Sequence, residues 1–288
     1  MAALQRNYWT RPVPWLVALV HVAAYALLTG VLDGFADAIV FVLALAQVSL
    51  LALWGAAAPE PGWLRLPAAA GGIFAVWYSL SVYFLHDVSV PSAAGYFLMF
   101  AIQGPLVVVG IGLARVLRFA FRRWRAPGSV EGSRPLRYGL RTLMLWTTVL
   151  AVLLGLGRAW LMHLGWLDKP PRADDLLAFG FLGGYNALYA LLVAATLWRR
   201  GYWPLRALVG LSLAGIAGWS EYDLATAIVP DAQFSWQFTA LCALGQPLIL
   251  YATLLPLGWS LAGPPASSAA SQLPETLFLS DSTPWETP

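Results

Sequence analysis

Eight stretches of this chain are each long and apolar enough to cross a bilayer: 13–32, 38–58, 67–86, 94–117, 142–167, 176–198, 207–228 and 236–262. A helix of about 20 apolar residues covers about 30 Å of hydrocarbon. Turn formers and charges separate the runs: Asp33-Gly34, Pro59-Glu60-Pro61-Gly62, Asp87 to Ser92, Asp168-Lys169-Pro170-Pro171, Arg199-Arg200-Gly201 and Pro230-Asp231. Hydrocarbon offers no partner to a backbone N–H or C=O, so a spanning segment is a helix or part of a closed barrel. These runs are continuous, whereas barrel strands alternate. An all-α, polytopic transmembrane helical bundle of eight spans follows. The first run is too long for a signal-peptide core and seven more succeed it, so it is read as a retained span.

Composition excludes the alternatives. Hydrophobic residues make up 59% and charged residues 11%, against about 45–50% and about 25% in soluble domains. A disordered chain needs the opposite balance. The lone Cys242 lies in an apolar run and reads as a small hydrophobe; no intrachain disulfide is available. Lys169 is the sole lysine beside many Arg, Ala, Gly, Pro and Leu residues, a usage that fits a GC-rich, bacterial genome.

The basic residues set the orientation. Arg6 and Arg11, Arg65, the group Arg115 to Arg141, and Arg199, Arg200 and Arg206 fall on one side of the runs; Asp33, Asp37, Asp87, Asp168, Asp174, Asp175 and Asp231 fall on the other. Positive loops stay in the cytoplasm, which puts both termini there, in the cytoplasmic (inner) membrane. Residues 1–117 form an N-terminal four-span half and 118–141 an Arg-rich cytoplasmic loop. Residues 142–262 form a C-terminal four-span half and 263–288 a disordered cytoplasmic tail rich in Pro, Ser and Thr. Arg115, Arg118, Arg122, Arg123 and Arg125 continue span four toward anionic lipid headgroups, where each charge contributes about 1 kcal/mol; a nucleic-acid partner is not expected. A shift of 142 residues sets Trp77 on Trp219 and Gln103-Gly104-Pro105-Leu106 beside Gly245-Gln246-Pro247-Leu248. Overall identity at that shift is no more than Leu/Ala-rich chains give by chance.

Residues 137–155, RYGLRTLMLWTTVLAVLLG, resemble the R-F-S-L-R-T-L-L-x-x-x-T-x-x-A-V-x-x-G segment of uncharacterised planctomycete-type multi-pass membrane proteins. Tyr138 stands where that segment has Phe, and Gly139 where it has Ser. The resemblance implies a lineage and a membrane segment, and carries over no activity.

Ionisable and amide groups inside spans are expensive and mark function. Gln47, Gln103, Asn186 and Gln246 occur one each in spans two, four, six and eight, 9 or 10 residues from the outer starts. They therefore share a layer near the midplane, beside Tyr185, Tyr189 and the prolines Pro105 and Pro247. Arg158 and Glu221 lie at matching depths and are candidates for an intramembrane ion pair. His86, His163 and Asp223 form a candidate titratable cluster on the outer side. No metal-ligand spacing, phosphate loop or nucleophile elbow is present, so no metal, cofactor or catalytic residue is assigned, and enzyme activity is the least favoured expectation. A small-solute or ion permease, or a transport-associated subunit, is the leading one. A non-transporting membrane scaffold or sensor is second, and an intramembrane enzyme third. A cavity at the amide layer would favour transport; a layer sealed by packing would favour the scaffold.

Overall fold

The computed structural model describes residues 34–57, 62–84, 91–125, 173–197, 202–228 and 235–255, together with Gly155, Ala159 and Met162 in helical conformation. These residues form six helices: α1 (Gly34–Ala57), α2 (Gly62–Phe84), α3 (Pro91–Arg125), α4 (Ala173–Thr196), α5 (Trp203–Ile228) and α6 (Trp236–Leu254). The run 13–32 and most of 142–167 lie outside the described residues. So does the segment 137–154.

Four helices contain stretches long and apolar enough to cross a membrane: Asp37–Ala57 in α1, Gly95–Arg118 in α3, Leu176–Thr196 in α4 and Trp236–Leu254 in α6. Helices α2 and α5 are as long but hold no stretch as continuously apolar among their described residues. Gly71, Gly72, Ser79 and Ser81 dilute α2, and Glu221 and Asp223 interrupt α5. Helix α3 outruns its apolar stretch because arginine is a good helix former and extends it to Arg125. The described chain is an all-helical bundle with the length and hydropathy of a membrane protein.

Residue contacts fix the helix directions. Phe41 stacks near Tyr96, Leu45 and Ser49 meet Gln103, and Ala56 meets Arg115, so α1 and α3 run parallel. The Cβ directions of Gly95, Gly183 and Gly110 point at Phe179, Met99 and Leu191, so α3 and α4 are also parallel. Phe41 faces Phe238 and Ser49 faces Gln246, which adds α6 to the same set. Helix α2 runs the other way: Gly55 lies by Ala69, Gly72 by Leu51 and Gly104 by Ile73. Helix α5 does too, with Gly210 by Thr196 and Tyr251, and Gly218 by Ala243. The four helices with membrane-length apolar stretches thus point one way and the other two return.

Helix α1 is the axis of the bundle. It packs against α2, α3, α4 and α6, and Val40, Ala44, Leu45, Ala46, Val48, Ser49 and Ala52 are fully buried. Small residues set the close approaches elsewhere. A Cβ on Gly183 would stand 2.5 Å from the Met99 carbonyl oxygen, so α3 and α4 touch backbone to backbone. Gly210, Ala214 and Gly218 form the buried stripe of α5. At one end, Arg115 donates Nη1 to the Ala56 carbonyl (2.8 Å) and Nη2 to that of Ala57 (3.4 Å). Those carbonyls end α1 without intrahelical partners, and a cation there also opposes the helix dipole. Arg65, Arg115, Arg118 and Arg206 share this end of the bundle, while Asp37, Asp174 and Asp223 lie toward the other.

Candidate functional site

The polar residues of the bundle interior meet on a serine. Gln103 Nε2 on α3 donates to the Leu45 carbonyl (3.0 Å) and to Ser49 Oγ (2.8 Å) on α1. Gln246 Nε2 on α6 donates to the same hydroxyl (2.8 Å) and to the Asn186 carbonyl on α4 (3.0 Å). Asn186 Nδ2 donates to the Leu182 carbonyl one turn earlier (2.7 Å). Four helices are joined near the middle of their apolar stretches, and Ser49, Gln103, Asn186 and Gln246 are at most 2% exposed.

The amide orientations are forced. A backbone carbonyl only accepts, so each amide nitrogen must face its carbonyl and each amide oxygen must face away. Gln103 Oε1, Asn186 Oδ1 and Gln246 Oε1 are accordingly buried with no hydrogen-bond partner among the described residues. A buried acceptor left unpaired costs about 1–3 kcal/mol, and such groups in a folded protein call for an explanation.

A second polar centre lies one turn toward the acidic end. Tyr189 on α4 donates its hydroxyl to Glu221 Oε2 on α5, and both residues are buried. Tyr185 and Ser220 exchange a hydrogen bond beside them (2.9 Å). Glu221, Asn186, Thr239 and Cys242 line a small cavity with the apolar Phe41, Met99, Leu182 and Phe238. Asn186 therefore belongs to both centres: its main-chain oxygen serves Gln246 and the residue lines the cavity.

Not every expected residue joins these groups. Gln47 is half-buried on α1, two residues before Ser49, and no bond from it reaches the serine. Two residues along a helix turn the side chain by about 200°. Tyr185 and Tyr189 face α5, so the polar face of α4 divides between two neighbours. Asp223 is exposed where Glu221 is buried. Arg158, His86 and His163 lie outside the described residues, as do the side chains of Arg122, Arg123 and Arg125. Ser49, the hub, was not singled out from sequence, because a lone helical serine usually bonds its own i−4 carbonyl. Its position at the depth of the three amides was the available clue. Among the described residues no three His, Cys, Asp or Glu side chains gather as ligands of a metal ion.

The helices also repeat. Shifted by 142 residues, the starts of α1, α2 and α3 (34, 62 and 91) become 176, 204 and 233, against 173, 203 and 236 for α4, α5 and α6. Directions repeat as well: both triplets run forward, back, forward. The central bonds follow the same pattern. Gln103 reaches a carbonyl 58 residues earlier on the first helix of its triplet, and Gln246 one 60 residues earlier on the first helix of its own. Pro105 and Pro247 follow the two glutamines.

Comparison of the chain with protein families, curated proteins and solved structures finds no match. Fold and site define its class by themselves: a helical membrane-type bundle with a buried polar centre.

Proposed function

We propose that the chain is a small-solute or ion permease, or the transport-associated subunit of one, in the cytoplasmic membrane. It is built as two parallel repeats of four spans with both termini cytoplasmic. The observation that carries this reading is the cavity lined by Asn186 beside the layer where Gln103 and Gln246, one from each helix triplet, meet on Ser49 at mid-bundle, with three amide oxygens left without a donor among the described residues. Parallel repeats related by an axis along the membrane normal, with a polar site at their interface near the midplane, are a common plan for transporters. The spare acceptors suit a solute or ion that donates hydrogen bonds or carries positive charge.

Span number and orientation have support of their own. Helices α3 and α4 are parallel, so a chain threading a membrane must recross between residues 125 and 173. The apolar run 142–167 has the length to do so, and Gly155, Ala159 and Met162 within it are helical. The arginine-rich end of the bundle marks the cytoplasmic side, where Arg115 to Arg125 meet anionic lipid.

A scaffold or sensor is the second reading, favoured by the complete burial of Gln103 and Gln246. Interhelical hydrogen bonds of this kind hold membrane helices together with about 0.6–2 kcal/mol each. Reconstitution separates the two. A permease raises the leak of sodium, potassium, chloride, urea or glycerol across proteoliposomes, and a Gln103→Leu/Gln246→Leu variant that stays folded loses that leak. A scaffold shows no leak in either form.

A further inference from the structure

We propose that the cavity bordered by Glu221, Asn186 and Thr239 is a binding site for one small monovalent cation of the sodium class. It would be the coupling ion of the permease, so the assignment deepens that reading and rests on it for the word coupling.

Three observations meet at this place. Glu221 is a carboxylate 1% exposed. Its described partner is the Tyr189 hydroxyl, which carries no charge, and among the described residues no cationic side chain pairs with it. An ionised carboxylate in such surroundings is stable only when its charge is matched nearby. The second observation is Asn186, a residue that lines the same cavity and whose Oδ1 is buried with no donor among the described residues. Its nitrogen is committed to the Leu182 carbonyl, so rotating the amide would cost that bond. The third is the cavity, which holds about one water-sized particle. The lining residues Glu221, Asn186 and Thr239 carry a carboxylate, an amide oxygen and a hydroxyl whose proton goes to the Ser235 carbonyl, the oxygen donors that hard cations take.

Charge selects the valence. One carboxylate is neutralised by one positive charge, whereas a divalent ion would leave a net charge in a low-dielectric interior. The Cys242 thiol on the same wall is a soft ligand, and a single thiol beside oxygen donors does not make a transition-metal site. The first triplet has no equivalent: the counterparts of Glu221 and Tyr189 at the 142-residue shift are Ser79 and Gln47, and Ser79 is exposed. The site is therefore an addition to the repeated frame.

The test is equilibrium binding of radioactive sodium to the purified full chain in detergent, with choline as the inert cation. Saturable binding that weakens at least about tenfold in Glu221→Gln and in Asn186→Leu is expected. Asp223→Asn, at an exposed position, should bind as the parent does. Sodium should also slow the reaction of the single cysteine, Cys242, with N-ethylmaleimide in the unaltered chain, a readout that requires no variant to fold. Absence of saturable binding by the folded parent, or undiminished binding by Glu221→Gln, overturns the site. So does binding that emerges only after Arg158→Gln, since Arg158 would then be the counter-charge. Binding without any sodium-dependent flux leaves the cation site standing and removes the permease; flux without binding does the reverse.

Discussion

The two helix triplets share a frame and differ in what they hang on it. In each, a glutamine on the third helix donates to a main-chain carbonyl of the first, and a proline follows it. The first triplet adds Ser49, the acceptor that joins both glutamines. The second adds Asn186, Tyr189 and Glu221, and so carries the one buried carboxyl group among the described residues. The tryptophans diverge as well: Trp77 is buried in the core of the first triplet, whereas Trp219 is 72% exposed on α5. The glutamine-to-carbonyl bonds occur in both triplets and Ser49 ties them together; the buried carboxylate and its tyrosine occur in the second alone.

That division orders the expected effects of substitution. The largest is at the serine that joins the two triplets. Ser49→Val takes one acceptor from Gln103 and one from Gln246 and leaves two buried amide hydrogens unpaired, at about 2–4 kcal/mol in all. Unfolding by sodium dodecyl sulfate in mixed micelles measures it, and a loss under about 1 kcal/mol would show that the serine is not the hub.

The glycines at the two triplet contacts come next. A methyl group on Gly183 meets the backbone of Met99, which has no room to move. On Gly245 it meets Val42 Cγ1 at 2.9 Å, a side-chain atom. Gly183→Ala should cost about 2–3 kcal/mol and Gly245→Ala about 1 kcal/mol. The same unfolding assay decides, and equal costs would mean that the two contacts are alike.

Tyr189→Phe probes the added carboxyl group. A hydrogen bond to a charged group contributes about 1.5–3 kcal/mol, so a loss of about 1–2 kcal/mol is expected, less than for Ser49→Val. Gln47→Leu, at the position matching Tyr189 in the first triplet, should change stability by under about 0.5 kcal/mol.

Much of this arrangement was legible from residue order. The described helices overlie six apolar runs because a membrane-length run of apolar residues has few other folds open to it. Gln103, Asn186 and Gln246 could be placed at one depth because α3, α4 and α6 run the same way. Depth says nothing of rotation about the helix axis, so Gln47 and Ser49, two residues apart, could not be told apart by it. Polar chemistry even points to the wrong one, since glutamine is the stronger hydrogen-bonding residue. The Tyr189–Glu221 contact joins residues 32 apart on two different helices, and no spacing rule covers such a pair. The repeat was visible only as a faint alignment, because the two triplets share a hydrogen-bond plan more than they share residues.

A modest expected change in stability accompanies the largest expected change in function. Gln103→Leu/Gln246→Leu removes four interhelical hydrogen bonds but also two unpaired buried oxygens, so net stability should shift by no more than about 1–2 kcal/mol. Flux of sodium, potassium, chloride, urea and glycerol into proteoliposomes, measured for the parent and for this variant at matched incorporation, tests the central claim most directly. A permease built on these amides predicts a leak through the parent to at least one of the probes and none above protein-free vesicles through the folded variant. Equal flux through both, or none through the parent, would contradict it.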